Sequence, residues 1–480
     1  FPEEIITSLK GLLEVMTCPL AVRSSSLLED SQYHPFAGVY GTYMLPNNEP
    51  TDEERLRELL HAIKRVYAST FYRAAKDYMR ATSYRLEEEK MAVLIQRLVG
   101  AVHGDRFYPD ISGVARSYNF YPAGPQTPAD GIANVALGLG RLVVGGEGGL
   151  RLCPRYPDHL PQFPTVKDTI KNSQQSFYAL QLSARHLAID DTEDSLVQSF
   201  RIDDAYTDGT LRWVGSTYVA DNEAIYDGLS RRGRRIVTFA PILKQKLFPL
   251  PEIVAELLAI GTRTMGTSVE IEFAARLSPV ENEPPEFGLL QIRPLVRSME
   301  AEEVDIGRFT RAETLCASSH VLGNGVVRDI CDVVYIDPQL FERGKSRAVA
   351  QQVSDINREL VRTGRRYVLI GVGRWGSLDP WLGIPVRWEQ ISGARAIIEA
   401  SFADFDVTPS QGSHFFQNIT AFKVGYFTVS STTADDFVDW EWLRALPAEK
   451  TLGPVRHVRL ASGATIKMNG KRNVGIVLTP

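Results

Sequence analysis

The residues best suited to chemistry begin at Arg23. It follows a short apolar run, Leu20, Ala21 and Val22, and precedes three hydroxyls, Ser24, Ser25 and Ser26. Glu29 and Asp30 come next, then a turn carrying Gly38 and Gly41. The run reads as a strand that delivers an Arg and hydroxyls into a loop. A guanidinium presents a fixed fork of N–H donors that fits phosphate oxygens two at a time. Glycines let backbone N–H groups come close to a polyphosphate. The same residues also describe an ordinary polar loop at a strand end.

Two later segments supply carboxylate and amide oxygens. Val269, Glu270, Ile271, Glu272 and Phe273 alternate apolar and acidic, the period of a half-buried strand. Residues 288–294 read as a second strand, with Gln291 and Arg293 on one face. Glu272 and Gln291 are hard oxygen donors of the kind that hold Mg²⁺. Arg293 beside them would neutralise phosphate charge. The other reading is an amphipathic antiparallel pair with its charges in water.

Together these segments resemble the nucleotide-binding domain shared by phosphoenolpyruvate synthase, pyruvate phosphate dikinase and rifampin phosphotransferase, which is an ATP-grasp fold. The family pattern V-R-S-S-x-x-x-E-D…F-A-G is matched by Val22, Arg23, Ser24, Ser25, Glu29, Asp30, Phe36, Ala37 and Gly38. Its D-I-E…Q-x-R-P end is matched by Ile271, Glu272, Gln291, Arg293 and Pro294, with Glu270 at the Asp. Residues 91–99 resemble the adenine-side strand and hinge, and Ser112, Gly113 and Val114 the S-G-V strand. Gly138, Leu139, Gly140, Val144, Gly146 and Glu147 resemble the G-L-G-E…V-x-G-E stretch.

The resemblance covers about residues 1–300 and implies ATP and Mg²⁺ as cofactors. It implies Arg23 and Arg293 on phosphates, with Ser24, Gly38 and Gly41 beside the nucleotide. It puts the backbone around Gln96, Arg97 and Leu98 at the adenine, and Glu272 and Gln291 on the metal. Two departures stand out. Arg141 occupies the position of a family Glu, and nothing before Arg23 matches the family's Gly-Lys segment, since Lys10 sits in a helical pattern. The expectation is that Phe1 lies inside the domain, whose start is incomplete.

The elements that must position these groups fit a chain of 480 residues, enough for two or three domains. Apolar content of 44% and charged content of 23% are those of a globular protein, and a net charge of −5 gives no reason to expect nucleic acid or an anionic membrane. Cys18, Cys153, Cys316 and Cys331 form no metal pattern, which favours a reduced, cytoplasmic setting. No apolar run is long enough to span a bilayer. Residues 51–80 carry a helical stripe through Leu56, Leu59, Leu60, Ile63, Val66 and Tyr67, with Thr51 or Asp52 as N-cap. Arg231, Arg232, Arg234 and Arg235 lack interleaved aromatics and read as a solvated loop. Residues 297–308 read as a linker between domains at 1–300 and 306–480.

After that linker, strands and helices alternate. Residues 325–336 form a β-branched run, 349–361 a helical pattern, and 366–370 a buried-type strand entering the turn of Gly371, Gly373, Arg374 and Gly376. That turn is either an anion loop or a tight structural turn. Residues 396–399 read as a strand, followed by Ser410, Gln411, Gly412, Ser413, His414, Phe415, Phe416 and Gln417, then by a strand from Gly425. This order resembles the swivelling domain of the same enzymes, whose His carries the phosphoryl group. Residues 322–327 and 458–477 resemble its opening strand and closing hairpin. An imidazole is nucleophilic near neutral pH, and a His at a helix start places a phosphoryl near free N–H groups. The other reading is a structural His beside two bulky rings.

The sequence therefore reads as a mixed α+β and α/β chain, an ATP-grasp domain followed by a β/α swivelling phosphohistidine-like domain. The function expected is ATP-dependent phosphotransfer, dikinase- or synthase-like, through His414 to an unidentified acceptor: pyruvate-type, antibiotic or glycan. A pyruvate-binding barrel needs roughly 250 residues, so that acceptor would sit on a missing domain or partner chain. The alternative is a nucleotide-sensing module that transfers nothing.

Overall fold

The computed structural model describes residues 1–26, 29, 39–81, 89–144, 149–183, 196–277, 284–295, 304–307, 309–377, 379, 381–401, 407, 415, 418–419, 422, 424–470 and 472–480. Asp30, Phe36, Ala37, Gly38, Gly146, Glu147, residues 410–414 with His414, Phe416 and Gln417 lie outside the described residues, as does most of the expected linker. The described chain divides into two compact units, one ending at Leu295 and one beginning after it.

In the first unit, helix α1 (Glu3–Val15) buries Leu9 and Leu13. Strand β1 (Leu20–Ser26) lies between β2 (Thr42–Leu45) and β3 (Met91–Arg97) in an antiparallel three-stranded sheet. Helix α2 (Asp52–Ser69) starts at a capping box: Thr51 Oγ1 accepts from the Glu54 N–H, and Glu54 Oε2 accepts from the Thr51 N–H. Its buried stripe is Leu56, Leu59, Ile63 and Val66. The helical stretch expected through residue 80 is two helices, since α3 (Arg73–Ala81) starts anew. The break falls where Ser69 turns its hydroxyl onto the Val66 carbonyl at 2.6 Å.

A five-stranded antiparallel sheet uses β4 (Ile111–Arg116), β5 (Ile132–Ala136), β6 (Leu150–Leu152), β7 (Val269–Arg276) and β8 (Glu286–Pro294), in the spatial order β8-β7-β4-β5-β6. Ala115, Ala133, Val135, Leu150, Leu152, Val269, Ile271 and Phe273 line its core face. Gly113 has a packing reason to be glycine: a Cβ there would meet the Phe273 ring at 2.3 Å. The alternate positions, Glu270 and Glu272 among them, fall on the opposite face.

The basic cluster is not only loop. Arg234–Val237 is a strand paired with Gly215–Val219, and aromatics outside the arginine run stack on it. Arg231 lies over Tyr226 at 3.9 Å and Arg235 over Tyr206 at 3.4 Å.

The second unit holds a ten-stranded mixed sheet. Its parallel centre is β9 (Asn324–Ile336), β10 (Tyr367–Val372), β11 (Ala394–Ala400) and β12 (Gly425–Val429). Every residue of β10 is buried, as a parallel strand covered on both faces requires. Helix α4 (Ser346–Arg362) connects β9 to β10, and Val349, Val353, Ile356 and Leu360 form its buried stripe. The hairpin of Val455–Asn469 and Val474–Leu478 continues the sheet beside β9. The Gly373 turn is structural in build. Trp375 is fully buried, donating its backbone N–H to Glu399 and its indole N–H to the Ile398 carbonyl.

Asp332, Glu449 and His457 also bring ligand atoms within 4.8 Å of one another. Arg365 already supplies the cation there, donating to Asp332 from Nε and to Glu449 from Nη2, each at 3.0 Å. Among the described residues no helix is long and apolar enough to cross a membrane.

Candidate functional site

Charge converges on the polar face of the five-stranded sheet. Antiparallel register places Glu270 opposite Arg293 on one side and Arg116 on the other. Glu270 is 1% exposed. Arg293 donates to its Oε1 from Nε at 3.0 Å and Nη2 at 2.6 Å, and Arg116 donates from Nε to Oε2 at 2.6 Å. Burial alone would raise this carboxyl, but Arg293 and Arg116 outweigh it and hold the group down to about 2. Burial likewise works against the Arg293 charge, and Glu270 and Glu272 overcome it and raise its pKa.

Two positions along β7, Glu272 stands directly opposite Gln291 of β8. Its Oε1 lies 3.7 Å from Arg293 Nη2 and its Oε2 3.6 Å from Arg23 Nη1. Arg23 comes from the other sheet, where the β1 alternation turns it away from the core. It donates from Nη2 to Gln291 Oε1 at 2.6 Å. Four expected residues, Arg23, Glu272, Gln291 and Arg293, thus meet in one place. Three guanidiniums, Arg23, Arg116 and Arg293, meet there with Glu270, Glu272 and the nearby Glu29, and Arg23 is the one with a side chain partly open to an anion.

The expected adenine-side residues lie alongside. Gln96 shares the exposed face of its sheet with Arg23 and donates from Nε2 to the Leu290 carbonyl at 3.1 Å. Among the described strands β3 is an edge, which leaves one side of its backbone open to a ligand. Arg97 is paired with Glu286, and the Leu98 N–H donates to the Pro19 carbonyl at 2.9 Å. Ser24 is buried on the opposite side of β1 from Arg23, so the structure does not bring it to the cluster. Gly41 precedes β2, and its N–H donates to Ser69 Oγ at 3.0 Å. Gly38 and His414 cannot be placed because they lie outside the described residues. Beyond His414, Phe415, Asn418 and Ile419 are helical between β11 and β12.

Sequence reasoning assigned no role to Glu270 or Arg116. Alternation in β7 signalled that Glu270 shares a face with Glu272. Arg116 shares a face with Ser112 and Val114 by the same period.

The donor set fits Mg²⁺. Glu272 and Gln291 present oxygens on adjacent strands, and Mg²⁺ takes few protein ligands plus phosphate and water. In the same cross-strand row, beyond Val114, the buried Asn134 Oδ1 has no hydrogen-bond partner among the described residues. That spare acceptor suits a hydrated cation.

Comparison with known proteins gives the family. A 130-residue stretch is 33% identical to "Uncharacterized phosphotransferase YvkC" of Bacillus subtilis (strain 168), covering 27% of this chain and 13% of the length of that relative. Residues 1–313 match the family model for the AMP/ATP-binding domain of pyruvate phosphate dikinase. With well over half its length matched, and with the Arg23, Glu272, Gln291 and Arg293 cluster inside the match, the chain belongs to the pyruvate phosphate dikinase AMP/ATP-binding domain family.

Proposed function

We propose that the first unit binds MgATP across the Arg23–Gln291–Glu272–Arg293 cluster and that a phosphoryl group passes through His414 to a small-molecule or glycan acceptor. The observation that carries the nucleotide reading is the convergence of two sheets on one cluster of guanidiniums with two oxygen donors, Glu272 and Gln291, on adjacent strands. Family membership supports ATP binding and phosphotransfer. Mg²⁺ held by Glu272 and Gln291 would offset charge on the phosphates. Arg23 and Arg293 would stabilise charge on the group in transit. Glu270 keeps Arg293 oriented and charged.

In the transfer step a His414 ring nitrogen attacks phosphorus. The bond from phosphorus to the bridging oxygen breaks, and that oxygen keeps the electron pair as ADP leaves. Attack at the β-phosphorus instead would release AMP. An acceptor oxygen later displaces the imidazole. The swivelling-domain assignment is supported by the parallel β11 and β12, the helical residues between them and the closing hairpin. None of the four cysteines is in a disulfide, which supports a reduced setting such as the cytoplasm.

One observation favours a second reading, a module that binds nucleotide and transfers nothing. Arg141, at the position of a family Glu, lies over the Tyr178 ring at 4.8 Å. Calorimetry tests the nucleotide reading. Wild type should bind MgATP at one site, and Glu272→Gln should weaken MgATP at least about tenfold, the scale of a lost charge-assisted contact. Metal-free ATP should be affected less. Equal losses would remove Glu272 from the metal.

A further inference from the structure

We propose that Arg23 makes this site select a metal–polyphosphate complex over a free divalent cation. The proposal rests on reading Glu272 and Gln291 as metal ligands.

The guanidinium of Arg23 already sits where a metal would be held. It donates to Gln291 Oε1 at 2.6 Å and lies 3.6 Å from Glu272 Oε2. It gives one oxygen a hydrogen bond and the other a countercharge, as a bound cation would. Glu272 also has Arg293 at 3.7 Å, and the charge of Glu270 is taken up by Arg293 and Arg116. The oxygens are therefore satisfied without a metal, and an entering cation has to displace Arg23.

What happens to Arg23 then decides the selectivity. The guanidiniums of Arg23, Arg116 and Arg293 are matched by Glu270, Glu272 and the nearby Glu29. A bare divalent ion would add two uncompensated positive charges and leave Arg23 without its carboxylate. A polyphosphate arriving with the ion reverses this balance. Its oxygens offer the Arg23 fork a bidentate, charge-assisted partner, while the metal takes over Glu272 and Gln291. Arg23 keeps 17% of its side chain exposed, so it can reach a ligand from solvent. Arg293 is 3% exposed and tied to Glu270. Metal and polyphosphate thus favour each other's binding through one side chain, and the coupling is reciprocal.

The test is a titration of the full chain with Mn²⁺, free ion being read by electron paramagnetic resonance, with and without ATP. Without nucleotide, Arg23→Met should bind Mn²⁺ about tenfold more tightly than wild type, within the usual range of coupling between sites. With Mn²⁺ present, its ATP affinity should fall by a similar factor. Adding Glu272→Gln to Arg23→Met should abolish the gain in metal affinity. Arg23→Lys serves if the Met variant does not fold. It keeps the charge without the fork and should shift both affinities in the same directions by less. The proposal is overturned if the folded variants bind free Mn²⁺ no more tightly than wild type while losing ATP. Arg23 would then be a phosphate contact only, and the metal assignment would stand. ATP binding by wild type that ignores both Mn²⁺ and Glu272→Gln would instead remove the metal assignment, and the selectivity with it.

Discussion

Two carboxylates two positions apart on one strand are placed for different tasks. Glu270 is closed between Arg293 and Arg116, while Glu272 keeps part of its surface open beside Gln291. Replacing Glu270 with Gln would leave two buried guanidiniums short of their counterion, which costs roughly 3–5 kcal/mol. Urea unfolding should show that loss directly. The pH dependence has a definite sign. The carboxyl is held at about 2 in the folded chain against an ordinary value of 4.5, so its contribution is complete above 4.5 and fades as pH falls toward 2. Between those values wild-type stability should decline more steeply than that of Glu270→Gln. Parallel declines would mean that another group carries the acid sensitivity.

Arg23, Glu272, Gln291 and Arg293 could be singled out in the sequence because the strand period fixes faces and the family resemblance picks among the readings that residue type leaves open; the structure brings the four together. The division between Glu270 and Glu272 could not be read from sequence. It depends on Arg116, which is 154 positions away and meets Glu270 only when β4 pairs with β7.

At the scale of elements, the capping box of α2 and the alternation of β7 were readable locally. The end of α2 was not, because it is set by a tertiary contact. Ser69 is fully buried and serves two partners, the Val66 carbonyl and the Gly41 N–H. The strands Ser176–Gln181 and Val197–Arg201 also escaped the sequence reading. Short apolar runs do not separate helix from strand, and the Gln174 side chain that anchors the first of them bonds to Leu137, far away in sequence.

The Ser69 contact couples a helix end to Gly41, which the family resemblance puts beside the nucleotide, and this yields a paired prediction. Ser69→Ala strands the buried Gly41 N–H at a cost of roughly 1–3 kcal/mol and should also weaken MgATP. Thr51→Ala removes the α2 cap at a cost of roughly 0.5–2 kcal/mol and should leave MgATP affinity unchanged. Thermal unfolding with calorimetry on both variants separates the effects. Equal affinity in the two would show that Gly41 is not held for the nucleotide.

At the scale of the whole molecule, the proposed relay would connect a nucleotide site in one unit with a nucleophile in the other. Residues 304 and 306 belong to the second unit: Asn469 donates to the Val304 carbonyl at 2.8 Å and Lys467 to that of Ile306 at 3.5 Å. Catalysis through a carrier needs two positions for one side chain. If His414 is that carrier, incubation with γ-labelled ATP should put acid-labile, base-stable label on wild type and none on His414→Ala, while both bind MgATP equally. Label from β-labelled ATP as well would indicate pyrophosphoryl transfer with release of AMP. Glu272→Gln should lower the label by lowering MgATP occupancy, and saturating MgATP should restore part of it. Arg293→Lys should lower label even at saturation, because it changes the group that faces the charge in transit. Label that persists in His414→Ala would make the histidine structural. Absence of label from a wild type that binds MgATP would favour the nucleotide-sensing reading, with the second unit reporting the occupancy of the first.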